Sequence, residues 1–311
     1  MVAGPKILII IRAGAGSIHR SWSWTTNGFA DIALSIYDDA DFPGENVKYF
    51  HRAAGGKFPG IKAFFEAHPS VLENYDYYWL FEDDLVLPLE SLRRISMLLG
   101  AFPFELSAPS LSYYSYFTWP ITVRNSRFIF RATDFVEVMA PIMSVHFLRA
   151  ALVAFNDNFS GWGHEWLWRK LLNKRSGFAA IFDCAPITHS RPFGSGTLVG
   201  NKPPSGWNPG KDMDEMIARY DLDRETPFRN YFGVTYKNKP SILVEDDFLQ
   251  EAINGYSEMQ GLPSDSFVRC IDTLIRGARP TSSISELETA AGFRLVADAL
   301  ADAAPLLSTM C

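Results

Sequence analysis

The chain has 311 residues, enough for one large domain or for a domain with a smaller appendage. Its 47% hydrophobic and 14% aromatic content supports a sizeable core and excludes disorder over most of its length. A net charge of −6 argues against a general nucleic-acid binder, and three scattered cysteines (Cys184, Cys270 and Cys311) exclude a disulfide framework or a zinc site and fit a reducing compartment.

Lys6 to Ile11 is a compact β-branched run followed by AGAGSIHR, which reads as a buried strand and a loop. The run is too short for a signal-peptide core or a bilayer span. No later stretch qualifies, because Arg294, Asp298 and Asp302 interrupt the apolar C-terminal segment. The expectation is a soluble, cytoplasmic protein without a transmembrane segment, with peripheral membrane contact left open. Further strands are expected over DIALSIYDD (31–39), Val47 to Phe50 and Tyr75 to Phe81, and IKAFFEAH (61–68) has helical spacing between them. Strands alternating with helices imply βαβ units and a mostly parallel sheet.

LESLRRISMLL, after Pro88, is spaced as a helix. Strand-like pieces follow at 128–131 and 134–140, then SVHFLRAALVAF (144–155), a helix with Ser144 as its N-cap. A Gly-Trp-Gly turn leads into another helix and then the apolar run FAAIF (178–182). Gly194 to Gly210 reads as a long loop. Helical patterns near 246–259, 265–277 and 284–307 suggest a helical C-terminal region, 240–311, beside a main domain of 1–239. In the last pattern Leu287, Ala291, Leu295 and Leu300 would pack on the main domain; a homo-oligomer contact or a membrane-surface contact is the alternative.

The chemistry concentrates at strand ends. YDYYWLFEDDLVL (75–87) ends an apolar run in Glu82, Asp83 and Asp84. Ligands of open parallel sheets bind at the carboxyl ends of the strands, where such oxygens suit Mg²⁺ or Mn²⁺ and, through the ion, a diphosphate. A solvated acidic turn is the plain alternative. SGWGHEWLWRKLL (160–172) puts Glu165 in a first helical turn, as a general base or simply as a favoured first-turn acid. Trp162, Trp166 and Trp168 read as core rather than as a sugar platform. FAAIFDCAPITHSRP runs through Asp183 to His189, a candidate metal ligand, and Arg191, a candidate phosphate contact. Arg12 or Arg20 in the first loop, Asp38 or Asp39 after the second strand, and Lys57 in AAGGKFPG are candidates for nucleotide or phosphate contacts. YYSYFTW (113–119) would stack on a sugar or pack half-buried.

In order, YDYYWLFEDDL, LSAPSLS, RFIFRATDFVEVMAPIMS, SGWGHEWLW and FDCAPITHSRPFG make residues of about 5–235 resemble the domain-of-unknown-function 707 family, which is grouped with glycosyltransferases of the GT-A fold. The resemblance implies an α/β, Rossmann-type mixed sheet flanked by helices. It also implies that the acidic triplet occupies the place of the D-x-D-type motif, with Asp84 on the metal and Glu82 facing the ribose. The glutamate departs from strict D-x-D at the ribose position. Glu165 would match the base after the GWG segment and His189 a late metal ligand, while Glu137 would hold the acceptor or the loop carrying it.

The resulting expectation is a metal-dependent glycosyltransferase that moves a sugar from a nucleotide-diphosphate donor to a glycan or other hydroxyl acceptor, with inversion. Mn²⁺ or Mg²⁺ is the expected cofactor, and polysaccharide biosynthesis is the setting suggested by the fold's usual work. The alternatives are a nucleotidyltransferase or phosphohydrolase with a similar metal site, and a non-catalytic carbohydrate-binding module.

Overall fold

The first apolar run forms strand β1 (Ile7–Ala13), buried at every position. Ile7, Ile9 and Ile11 point into one apolar cluster, and Leu8 and Ile10 into a second on the opposite face. A strand covered on both faces needs no polar alternation, which is why the run reads as continuously apolar. In the computed structural model, residues 4–22, 28–43, 47–173, 179–192, 207–236, 239–259, 263–277 and 291–310 are described.

Strand β1 pairs in parallel with β2 (Asp31–Ile36) and β4 (Tyr77–Glu82), and β2 continues in parallel to β3 (Tyr49–Arg52). Beyond β4 lie β8 (Ile142–Ser144), β6 (Leu106–Leu111), β9 (Ala179–His189), β7 (Phe130–Thr133), β10 (Asn230–Tyr236) and β11 (Pro240–Val244), in that spatial order. The short β5 (Leu85–Val86) pairs with the end of β9. From the pairings, β1, β2, β3, β4, β6, β9 and β10 run one way and β7, β8 and β11 the other, so the sheet is mixed and mostly of one direction. The expected α/β architecture is present. Glu82 and His189 close strands that run the same way, so both stand at one edge of the sheet.

Helices cover both faces. One cluster buries Phe58, Ile61 and Phe64 of α1 (Lys57–Ala67), Phe147 and Leu148 of α3 (Val145–Ala151) and Trp168 of α4 (His164–Asn173). The other buries Leu92, Ile95 and Leu98 of α2 (Leu89–Ala101). The remaining helices are α5 (Pro209–Tyr220), α6 (Glu245–Ser257), α7 (Ser264–Gly277) and α8 (Ala291–Leu307). Ser144 caps α3 by accepting from the Phe147 N–H.

Several expectations need correction. Residues 134–140 are not a strand but a buried loop. Its carbonyls are claimed by side chains instead of a ladder: Lys57 Nζ donates to Val138 O and Met139 O at 2.6 and 2.7 Å, and Trp79 Nε1 to Ala140 O at 3.0 Å. Strands β5, β6, β8, β10 and β11 and helix α5 lie outside the elements expected from the sequence. The boundary at 239/240 falls inside the β10–β11 hairpin, so the C-terminal region shares the main sheet. Helix α8 presents Val296, Ala303 and Leu307 to the core, whereas Leu295 is 51% exposed. The earlier part of that helical pattern, and most of the 194–210 loop, lie outside the described residues. No helix among the described residues is long and apolar enough to cross a membrane.

Candidate active site

Strand β4 delivers Glu82 to the sheet edge, and the turn to β5 carries Asp83 and Asp84. Antiparallel pairing sets Leu85 opposite His189, and Ser190 donates from N and Oγ to Asp84 O at 3.1 and 2.7 Å. The two strand ends are thereby locked together. One ligand atom each from Glu82, Asp84 and His189 lies within 4.8 Å of the others. His189 Nδ1 contacts the Tyr116 carbonyl at 2.7 Å. A carbonyl only accepts, so Nδ1 carries a proton and Nε2, 3.3 Å from Asp84 Oδ2, is the atom turned to the acids. Burial opposes charge on this imidazole, but the hydrogen bond and charge of Asp84 prevail and raise its pKa to about 9.

The donor set, two carboxylates and an imidazole, suits Mn²⁺ and tolerates Mg²⁺. Among the described residues Asp84 Oδ1 has no hydrogen-bond partner although it is buried, as a ligand oxygen for a cation would be. The same cavity, of about 510 Å³, is lined by Glu82, Asp84, His189, Glu137 and Glu165. Four carboxyl groups there outnumber the two nearby cationic side chains, Lys57 and His189, so the cavity is rich in oxygen ligands for a divalent ion.

Glu165 reaches the cavity because the Gly-Trp-Gly turn takes a path only glycine follows easily. Gly161 and Gly163 have φ of +85° and +99°. A Cβ on Gly161 would sit 2.6 Å from the Phe58 ring, and one on Gly163 2.7 Å from Met216 Cβ. His164, stacked on Phe58 at 4.5 Å, contacts Gly161 O through Nδ1 at 2.8 Å and closes the turn. Helix α4 then begins, and Glu165 Oε2 accepts from the Gly163 N–H at 3.1 Å. Burial raises Glu165 to about 7, against the pull of backbone N–H groups at its own residue, Gly163 and Val138. Glu137 is raised further, to about 8, by burial and then by the charges of Glu165 and Glu82; its Oε2 is buried with no partner among the described residues. At neutral pH the pair therefore offers a neutral acid beside a half-ionised one.

Other expected residues occupy different places. Lys57 is buried at the start of α1, and its three donors go to Val138 O, Met139 O and, at 3.5 Å, Glu82. It braces the loop bearing Glu137 against Glu82 and does not reach out to a phosphate. Arg12 is likewise buried and spends its guanidinium on Gly56 O, Ser35 O and Oγ, Ala53 O and Gly55 O. It holds the approach to α1, so its expected nucleotide contact is replaced by a structural one. Asp83 faces away from the trio: it accepts from Tyr37 OH at 2.6 Å and lies 3.8 Å from Arg191, and burial raises it to about 6 despite the Tyr37 bond. Asp38 accepts from the Ala15 and Ala40 N–H groups at 2.8 and 2.9 Å. Arg191 donates to Gly16 O. Asp38, Asp83 and Arg191 thus gather round the first loop. Arg20 and Asp39 stand at the exposed surface. Asp183 is a core residue, paired with the fully buried Arg131 at 2.8 Å.

Among the aromatics, Trp168 is core, Trp162 lines the cavity, and Tyr116, Phe117 and Trp119 form its wall. Tyr37 and the cavity residue Trp207 were not singled out from sequence, and nothing in their spacing marks them. The Tyr116 carbonyl that orients His189 leaves no trace in a sequence at all.

No family model matches this sequence, and no curated protein does. Among solved structures, the chain is similar to a crystal structure of GalNAc-T7 with UDP, GalNAc and Mn²⁺, with a TM-score of 0.51 and 9% sequence identity over 97% of this chain. The match spans 58% of that chain, so this protein covers little more than half the length of its structural relative. At that identity the likeness speaks to the fold alone, which is α/β and GT-A-like.

Proposed function

We propose that this protein is a metal-dependent glycosyltransferase that moves a sugar from a nucleoside-diphosphate donor to a hydroxyl of a glycan or similar acceptor, with inversion. The observation that carries the reading is the shared cavity: the Glu82–Asp84–His189 trio and the buried Glu165 line the same space at the carboxyl edge of the sheet. The GT-A fold and the resemblance of residues of about 5–235 to the domain-of-unknown-function 707 family support it.

In this scheme Glu82, Asp84 and His189 hold the ion, and Tyr116 O fixes the imidazole tautomer through Nδ1. When bound, Mn²⁺ or Mg²⁺ supplies positive charge to the departing diphosphate. Asp38 and Arg191, around the first loop, flank the nucleoside side of the donor. Ionised Glu165 accepts the proton of the acceptor hydroxyl, whose oxygen attacks the anomeric carbon as the bond to the diphosphate breaks. Glu137, protonated at neutral pH, donates a hydrogen bond to an oxygen of the bound sugars. Trp162, Trp207 and Phe117 wall the cavity and limit water, which would otherwise compete with the acceptor.

A thermal-shift screen of nucleotide sugars with Mn²⁺ finds the donor, since a bound ligand raises apparent stability by mass action. Acceptor-dependent turnover, with the product's anomeric configuration read by NMR, then tests the reaction. Inverted product that forms only with acceptor is expected. Release of nucleoside monophosphate regardless of acceptor would overturn the reading in favour of a phosphohydrolase.

A further inference from the structure

The aromatic wall of the cavity has a second side. Thr118 and Trp119 also line a second groove, of about 490 Å³, and Trp166, next to Glu165 on α4, forms part of its floor. The groove and the cavity therefore share a wall, and helix α4 contributes Glu165 to one and Trp166 to the other. Its apolar surface is an edge-on aromatic cluster: the ring centroids of Trp119 and Trp166, Trp119 and Phe228, and Trp166 and Phe228 are 5.7, 5.6 and 5.2 Å apart. The indole N–H of Trp166, 5% exposed, is buried without a hydrogen-bond partner among the described residues.

Along the rim stand Arg224, Arg269 and Arg276, with Asp272 as the single acid among the lining residues. Arg269, Asp272, Thr273 and Arg276 lie on one face of α7, at spacings of three, four and seven, so the two arginines are ~10 Å apart along the helix. Arg276 is paired with Asp272 at 2.8 Å and Arg224 with Asp214 at 2.7 Å, both exposed and readily exchanged for a better partner. Counting Asp214 with Asp272, three guanidinium groups stand against two carboxylates, so the groove keeps an excess of positive charge in a chain of net charge −6. Aromatic faces take the apolar faces of sugar rings, and guanidinium groups take carboxylates or phosphates in forked geometry.

We infer that this groove is the acceptor site and that the acceptor is an acidic oligosaccharide, carrying a carboxylate or phosphate within a few sugar units of the accepting hydroxyl. The chain enters over Trp119 and Trp166, its anionic groups meet Arg224 and Arg276, and its terminal hydroxyl passes into the cavity beside Glu165. This inference rests on the transferase reading, and the test separates the two.

Tryptophan fluorescence of the full chain, with UDP and Mn²⁺ present, is titrated with matched pairs. The probes are trigalacturonate against its carboxyl-reduced counterpart, and a trisaccharide monophosphate against the unphosphorylated parent. At least one charged member is expected to bind about tenfold more tightly than its neutral partner. The preference should shrink as NaCl rises from about 50 to about 500 mM. Arg224→Gln and Arg276→Gln should each weaken the charged probe about fivefold and leave the neutral one alone. Both side chains are at least 47% exposed, so unchanged melting temperatures report intact folding. Equal binding within every pair, or a charge preference that survives both substitutions, overturns the inference. UDP titrated alone with Mn²⁺ divides the failures. Nucleotide binding without charge preference sinks the groove; charge preference without nucleotide binding sinks the transferase.

Discussion

Glu165→Gln removes the proposed base but keeps its shape and an oxygen for the Gly163 N–H, so activity and stability should move in opposite directions. The carboxyl is 3% exposed, and burial lifts it from an ordinary 4.5 to about 7. A group raised in the folded state binds its proton more tightly there than in the unfolded chain. Its ionisation therefore costs the folded state increasingly as pH climbs from 4.5 to about 7, and a constant amount beyond. At about 1.4 kcal/mol per pH unit of displacement, that cost is about 3 kcal/mol at pH 7.5 and under about 0.5 kcal/mol at pH 4.5. Glutamine escapes it. For a chain of this size, about 2 °C per kcal/mol, the variant should melt about 5 °C higher at pH 7.5 and within about 1 °C of wild type at pH 4.5. Scanning calorimetry in EDTA reads both. Turnover should fall about 10²- to 10⁴-fold, and wild-type kcat/KM should rise with pH through about 7 as Glu165 ionises. A variant no more stable at pH 7.5, or one within tenfold of wild-type turnover, would refute the reasoning.

Lys57→Met strands the Val138 and Met139 carbonyls and leaves Glu82 without its cation; since about a third of Glu82 opens to the cavity, the loss should be about 2–3 kcal/mol by urea denaturation. An unchanged midpoint would show that the loop bearing Glu137 is held by something else. Gly163→Ala meets both a φ of +99° and a 2.7 Å contact with Met216, so it should cost about 1–3 kcal/mol and disable turnover by shifting the start of α4; wild-type activity would refute the account of the turn. His189 is raised to about 9 and must lose a proton to bind a metal, so Mn²⁺ affinity, read by calorimetry, should strengthen up to about tenfold per pH unit towards pH 9. A flat profile from pH 6 to 8 would remove His189 from the ligand set.

The sequence made the sheet edge readable because β1 and β4 are buried on both faces and so appear as unbroken apolar runs, leaving Glu82 to Asp84 conspicuous at the end. The glycines around Trp162 likewise advertised a turn ahead of Glu165. What it concealed was orientation. Arg12 and Lys57 have the composition of phosphate contacts, yet both face inward to satisfy carbonyls, and no local spacing separates those fates. Residues 134–140 imitate a strand because every position is buried; only the donors of Lys57 and Trp79, distant in sequence, reveal that no ladder is needed. The C-terminal strand β11 carries no clear apolar signal because its five residues are only half-buried at the sheet edge.

The central claim is that Glu82, Asp84 and His189 hold one divalent cation that a nucleoside diphosphate shares. Electron paramagnetic resonance of Mn²⁺ titrated with protein in the presence of UDP tests it most directly. One ion bound per chain, at an affinity that Asp84→Asn lowers at least about tenfold with the fold intact, is the predicted result. Mn²⁺ that stays free in the presence of UDP, or binds equally well to Asp84→Asn, would contradict it.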